Sequence, residues 1–323
     1  MEPKVSKLIL WAGLLCFFLL AAVAASQPGE PRQEYRNPFM RIAVAGGKRE
    51  FQMASVTYRM SEGSQTVTLM GAVHIASPGF YEVMQEKFKA YDAVIMEGIG
   101  AREKYGALEP ASRLRGGPVA WLCSLEKGKK KVGRQTPASK EGIRKVHDVY
   151  GEVSAWMGFS EQMEQFDFQK DNFVFADMAE AELQERLGQK GIDYLMPEEK
   201  VFEMMLPLVR NLMGPSSESS ARPTPLQNIV RNLMAEMMVR TDLNALVAGD
   251  SPELKERRDY FQVIVEERNR KVLESVRRLL GEGKKKIAVF YGALHLPSLE
   301  KDLVREFQAH RVGEEWITAW ELN

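Results

Sequence analysis

Residues 66–78 read TVTLMGAVHIASP, and residues 286–298 read KIAVFYGALHLPS. Each is a short apolar run with β-branched residues that ends in Gly-Ala-x-His, and each is followed by a turn and a helix-like pattern. A glycine just past a buried strand lets the backbone turn sharply. The histidine that follows then stands at the carboxyl end of its strand, where open α/β sheets place their ligands. The chain holds four histidines, and two of them, His74 and His295, share this local frame. The repeat therefore predicts one site in which both histidines meet.

The chain around each copy reads as α/β. Residues 51–59 alternate in polarity and are joined to 66–70 through Ser61-Glu62-Gly63-Ser64, which predicts a β-hairpin. Pro78 and Gly79 open a helix running to about 89, with Phe80, Val83, Met84, Phe88 and Tyr91 as its buried stripe. A short apolar strand at 93–96 then delivers Glu97 at its end, which completes a βαβ unit of a parallel sheet. At the other end of the chain, a strand at 287–291, a helix at 299–309 and a last strand at 316–320 repeat this character. The predicted fold is α/β, with a central, mostly parallel or mixed sheet built from both ends of the chain. A large helical insert, about residues 100–280, covers the strand ends. It includes a possible short strand at 165–168, the run Phe173-Val174-Phe175 leading to Asp177, and long helices at 226–248 and 253–280.

The amino end differs in kind. Lys4 and Lys7 precede an uncharged apolar run from Leu8 to Ala25 that closes on small residues. It reads as a cleaved signal peptide or a retained membrane anchor, with the following domain on the extracytoplasmic side: secreted, periplasmic or membrane-anchored. The organisation read from sequence is a leader at 1–25, a linker at 26–50 and a single α/β domain at 51–323. Membrane contact is expected only through an uncleaved leader. The 44 basic and 44 acidic residues balance, which argues against a nucleic-acid partner. With only Cys16 and Cys123, neither a disulfide framework nor a thiolate metal site is available.

Two histidines and Glu97 are a reasonable ligand set for Zn²⁺, Mn²⁺ or Fe²⁺ with positions left open for water. Without a metal, the same residues could act as an acid–base pair. The plainer alternative is that the histidines are core or capping residues. Arg268, within VEERNRK, reads on composition as a surface residue of a helix. Asp177 could cap the helix that follows it or face the site. Tyr291 could point into the same cavity or fill the core.

The paired motifs MGAVH and YGALH, with Glu97 ending a strand between them, resemble the TraB/PrgY/GumN group, which includes the Tiki proteins and is similar in fold to erythromycin esterases and ChaN-like domains. QFDF at 165–168, FADM at 175–178 and ERN at 267–269 are further points of resemblance. The resemblance implies that His74, Glu97, Arg268 and His295 share one cavity, with Asp177, Tyr291 and Gln165 as possible additions. Activities within the group range from metal-dependent peptidases and metal-free esterases to haem binders and regulators of peptide signals. The expectation is a hydrolase, peptidase-like, acting on a peptide or small-molecule substrate. His74, Glu97 and His295 would hold Mn²⁺, Co²⁺ or Zn²⁺, and Arg268 would stabilise an oxyanion or grip a substrate carboxylate. The alternative is a non-catalytic protein that binds haem, a metal or a signal peptide, with a histidine or Tyr291 as axial ligand.

Overall fold

The computed structural model describes residues 36–61, 63–98, 154–166, 172–179, 182–183, 185–187, 223–243, 248–249 and 251–322. All belong to one compact unit, Arg36–Asn323. The leader, Cys123 and much of the predicted insert, including 99–153 and 188–222, lie outside the described residues. No helix among the described residues is long and apolar enough to cross a membrane.

The fold is α/β, with a mixed sheet drawn from both ends of the chain. β1 (Met40–Ala45), β2 (Lys48–Arg59) and β3 (Thr66–Ala72) form an antiparallel meander. A two-residue strand β4 (Ile75–Ala76) and helix α1 (Pro78–Phe88) lead to β5 (Ala93–Met96). Then come the short strand β6 (Ser160–Glu161), the single turn α2 (Gln162–Gln165) and β7 (Phe173–Phe175). Helices α3 (Pro225–Arg240) and α4 (Pro252–Phe261), a π-helical turn at Gln262–Glu267, and α5 (Arg268–Gly281) follow. β8 (Lys286–Gly292), α6 (Leu296–Phe307) and β9 (His310–Glu321) close the chain. β3, β8, β5 and β7 run parallel in that order, and β9 pairs antiparallel with β2.

The hairpin, the βαβ unit and the bordering C-terminal strand are present as the sequence predicts. Three expectations are corrected. The linker expected at 26–50 contains β1, whose Met40-Arg41-Ile42-Ala43-Val44 pairs residue by residue with β2, so the domain begins before residue 51. Of the possible strand at 165–168, residues 167–168 lie outside the described residues, Gln165 closes a helical turn, and Phe166 packs its ring against Tyr81, Phe88 and Phe290. On α1, Phe80, Met84 and Phe88 are buried as expected, but Tyr81 joins them and Val83 is exposed.

The two copies of the repeat are neighbours in the sheet, and their pairing is offset. Gly71 stands opposite Tyr291, and Ala72 opposite Gly292, whereas the sequence match aligns Gly71 with Gly292. Side chains along a strand alternate between faces, so a one-residue offset sends matching residues to opposite sides. Met70 and Phe290 accordingly pack on one face with α1 and Ala235 and Val239 of α3. Leu69, Val289 and Tyr291 pack on the other face with α5 and α6. The chain leaving β3 enters α1 on the first face, and the chain leaving β8 enters α6 on the second. Adjacent parallel strands whose connections diverge in this way form a topological switch point, the place where open α/β sheets open a crevice.

Candidate functional site

Four strand ends supply the site. β3 ends before His74, β5 before Glu97, β7 before Ala176-Asp177, and β8 leads through Gly292 to His295. Over them lies the junction of the π-turn with α5, which presents Arg268 and Asn269. An apolar stripe of Val272, Leu273, Val276 and Leu279 seats α5 on the sheet.

Arg268 is the hub. Its Nε donates to Asp177 Oδ1 and its Nη2 to Asp177 Oδ2, both at 2.8 Å. Nη2 also donates to Glu97 Oε1 at 2.5 Å. Nη1 is less engaged, at 3.5 Å from both the Ile264 carbonyl and His295 Nε2. Burial works against the guanidinium's charge, but Tyr291, Asp177 and Glu97 outweigh it and hold the group well above its ordinary pKa. Composition suggested a surface residue, yet Arg268 is 5% exposed.

Both carboxylates are engaged through both of their oxygens. Asp177 also accepts from the backbone N–H of Gly98 at 3.0 Å and of Met178 at 2.8 Å. Of the two readings made from sequence, facing the site is the one seen; the bond to Met178 N reaches only the next residue, and Met178 and Ala179 are not helical, so Asp177 does not cap a helix there. Glu97 Oε2 accepts from Gly292 N at 2.9 Å. Burial on its own raises the Glu97 pKa. The charges of Arg268, His295 and His74 and the bond from Arg268 overcome it, and the carboxyl stays well below the usual carboxylate range. A Cβ on Gly292 would meet Glu97 Oε2 at 3.1 Å, so the second motif's glycine is also what lets the carboxylate approach the strand end.

The two histidines differ. His295 is 7% exposed, and its Nδ1 lies 2.8 Å from Asn269 Oδ1. Burial, then Arg268, push its pKa down to about 4, so the ring is uncharged at neutral pH. His74 is exposed. Its backbone is held, its carbonyl accepting from Gln162 N at 2.9 Å and the preceding Val73 carbonyl accepting from the Tyr81 hydroxyl at 2.9 Å. Its side chain stands at the rim, close enough that its charge acts on both Glu97 and His295.

Of the further candidates, Tyr291 is wholly buried, its ring edge-on to His295 at 5.0 Å and 5.6 Å from the guanidinium carbon of Arg268. Its hydroxyl lies beside Asp177 but meets no partner at hydrogen-bonding geometry among the described residues. Gln165 closes α2 and makes no hydrogen bond to the Arg268 cluster among the described residues. Asn269, adjacent to Arg268, is the site residue the sequence reading passed over as a candidate. Its signal was its place in ERN, next to an arginine on the helix before the second motif.

The donor set suits a resident divalent metal poorly. Glu97 already uses both oxygens, and His295 Nε2 faces a guanidinium at 3.5 Å. A metal ion there would stand against a buried positive charge or have to displace it. Among the described residues, no group of three or more His, Cys, Asp or Glu side chains is arranged to hold an ion. In this arrangement Arg268 is the cation that neutralises the carboxylates. Haem ligation by Tyr291 fits no better, since the hydroxyl is enclosed beside Asp177.

No family model matches the chain, and no curated protein matches it at a significant level.

Proposed function

We propose that the chain is an extracytoplasmic hydrolase of the TraB/PrgY/GumN type, acting on a peptide or small-molecule carbonyl and working without a resident metal. The observation that carries this reading is a buried, uncharged His295 whose Nε2 lies 3.5 Å from Arg268 Nη1, the least engaged donor of the cluster. A base and a cationic donor side by side suit addition of water to a carbonyl. His295 Nε2 takes a proton from water, and the oxygen adds to the substrate carbonyl. Arg268 Nη1 stabilises the charge that develops on the carbonyl oxygen. Breakdown of the tetrahedral intermediate cleaves the bond to the leaving group, which takes a proton from imidazolium. His74, at the rim, relays that proton or positions the leaving group. Glu97 and Asp177 hold Arg268 rather than reacting themselves. The leader supports an extracytoplasmic location.

A second reading has an observation of its own. Glu97, Asp177 and most of Arg268 satisfy one another internally, as a structural ion-pair network does. On that reading the protein binds a haem, metal or signal peptide at the exposed His74 without turnover.

The test is a panel of ester, lactone and peptide substrates, assayed with the purified domain in chelator and in added Mn²⁺, Co²⁺ or Zn²⁺. The hydrolase reading expects turnover that survives chelator, falls steeply in His295→Ala, and falls in His74→Ala most on amide substrates. Turnover that appears only on adding metal would overturn the metal-free mechanism. No turnover anywhere, together with a Soret band or metal uptake lost in His74→Ala, would favour the binding reading.

A further inference from the structure

His295 is bracketed by two consecutive residues. Arg268 Nη1 approaches its Nε2, and Asn269 Oδ1 lies 2.8 Å from its Nδ1. Both come from the first turn of α5, directly after the π-turn Gln262–Glu267. Neighbouring residues on a helix point about 100° apart, so one imidazole can be reached on two edges only if it lies across the gap between them. α6 sets it there, because His295 stands at the first position before that helix and its ring lies edge-on to Tyr291 of the second face.

The Asn269 side chain touches the same residue twice. Its Nδ2 donates to the His295 backbone carbonyl at 3.3 Å, while its Oδ1 faces the ring. A carbonyl oxygen only accepts, so the amide nitrogen must be the end that faces it. That decides which way the amide points, a choice usually left open for asparagine. The other end is then an oxygen, also an acceptor, and the ring nitrogen opposite it must carry hydrogen. Asn269 is 0% exposed, so water does not compete for either contact.

We infer that Asn269 is a positioning residue that locks His295 in the Nδ1–H tautomer and leaves the Nε2 lone pair free beside Arg268. The inference rests on the hydrolase reading only for its purpose. A histidine whose Nε2 carried the hydrogen would present a donor to a donor at Arg268 Nη1 and could not accept a proton from water at that atom. The Nε2–H form is the one a histidine side chain favours in water, so the lock works against the ring's own preference. An asparagine does this without adding a negative charge behind the ring, unlike the carboxylate that orients histidine in many triads. The ring therefore remains a neutral acceptor rather than a stabilised cation.

The experiment reads the tautomer itself and needs no substrate. Long-range ¹H–¹⁵N correlation spectra of the whole domain, labelled at histidine, distinguish a protonated from a bare nitrogen in each ring. The His295 signals are identified by their loss in His295→Asn. The expected result at neutral pH is a protonated Nδ1 and a bare Nε2 in the wild type. Asn269→Asp, which keeps an acceptor opposite Nδ1, retains that pattern. Asn269→Leu, which removes the acceptor, moves the His295 signals toward the Nε2–H form. Wild-type His295 found as the Nε2–H tautomer would overturn the proposal, even if neither variant folded. An unshifted spectrum in folded Asn269→Leu would overturn it as well. The stated tautomer in a protein that hydrolyses nothing would sustain this inference while removing the hydrolase reading.

Discussion

Arg268 grips Asp177 with both of its parallel donors, Nε to Oδ1 and Nη2 to Oδ2, each at 2.8 Å. The pair is almost wholly enclosed, with the Arg268 side chain 6% and the Asp177 side chain 1% exposed. A planar guanidinium meeting a carboxylate in this way is the strongest ordinary ion-pair geometry. Removing one member leaves the other's charge buried with less to balance it. Asp177→Ala is therefore expected to cost roughly 3–5 kcal/mol, seen as a lower urea midpoint. Loss of the bonds to Gly98 N and Met178 N adds to this cost. An unfolding curve like that of the wild type would mean that water or another group replaces Asp177 easily.

Acid should destabilise the protein in two stages. His295 holds its proton less tightly in the fold, with a pKa lowered from 6.5 to about 4, so unfolding takes up a proton between those values. Its contribution is complete above about pH 6.5, falls as pH drops through the window, and is gone below about pH 4. The full effect is about 3 kcal/mol. Glu97, held below its ordinary 4.5, contributes stability above that value and loses it as pH falls further. Urea unfolding measured from pH 7.5 to 3.5 checks both. In His295→Asn the slope between pH 6.5 and 4 should flatten, while the loss below pH 4.5 persists.

The two motif glycines should respond differently to alanine. A Cβ on Gly71 would meet Met53 Cε at 3.2 Å, the far end of a flexible side chain that can move aside. A Cβ on Gly292 would meet Glu97 Oε2 at 3.1 Å and His295 Cδ2 at 3.5 Å, and that carboxylate is pinned by Arg268. Gly71→Ala is expected to cost less than about 1 kcal/mol, and Gly292→Ala roughly 1–3 kcal/mol. Only Gly292→Ala should impair hydrolysis. Thermal melts and turnover of the two variants, side by side, test the contrast. Equal effects would argue against a site centred on β8 and Glu97.

If His295 is the base, His295→Ala should lower turnover by roughly 10²–10⁴-fold, the range for general acid–base groups. KM should change little, because the ring acts on water rather than on substrate binding. His74→Ala should act more through the leaving group, with larger losses on amides than on activated esters. A His295→Ala enzyme with wild-type kcat would remove His295 from the mechanism.

What the sequence determined by itself was local. Alternation of apolar residues marked the strands, the glycines marked their ends, and the repeat of Gly-Ala-x-His marked two of those ends as alike. From these came the α/β class, the sheet made from both ends of the chain, and Glu97 at the close of β5. The tertiary structure decided how the two copies meet. Side-chain direction has a period of two, so the one-residue offset that sets Gly71 opposite Tyr291 places equivalent residues on opposite faces. No local pattern encodes that offset. It leaves His74 exposed at the rim and His295 buried against Tyr291, so one repeated motif yields two histidines with different chemistry. The same holds for Arg268. VEERNRK reads as a charged surface, and only the seating of α5 over the strand ends turns its arginine inward, where Asp177 and Glu97 offset the cost of burying its charge. Asn269 acquires its role in the same way, since an asparagine orients a ring only when the fold brings that ring within reach.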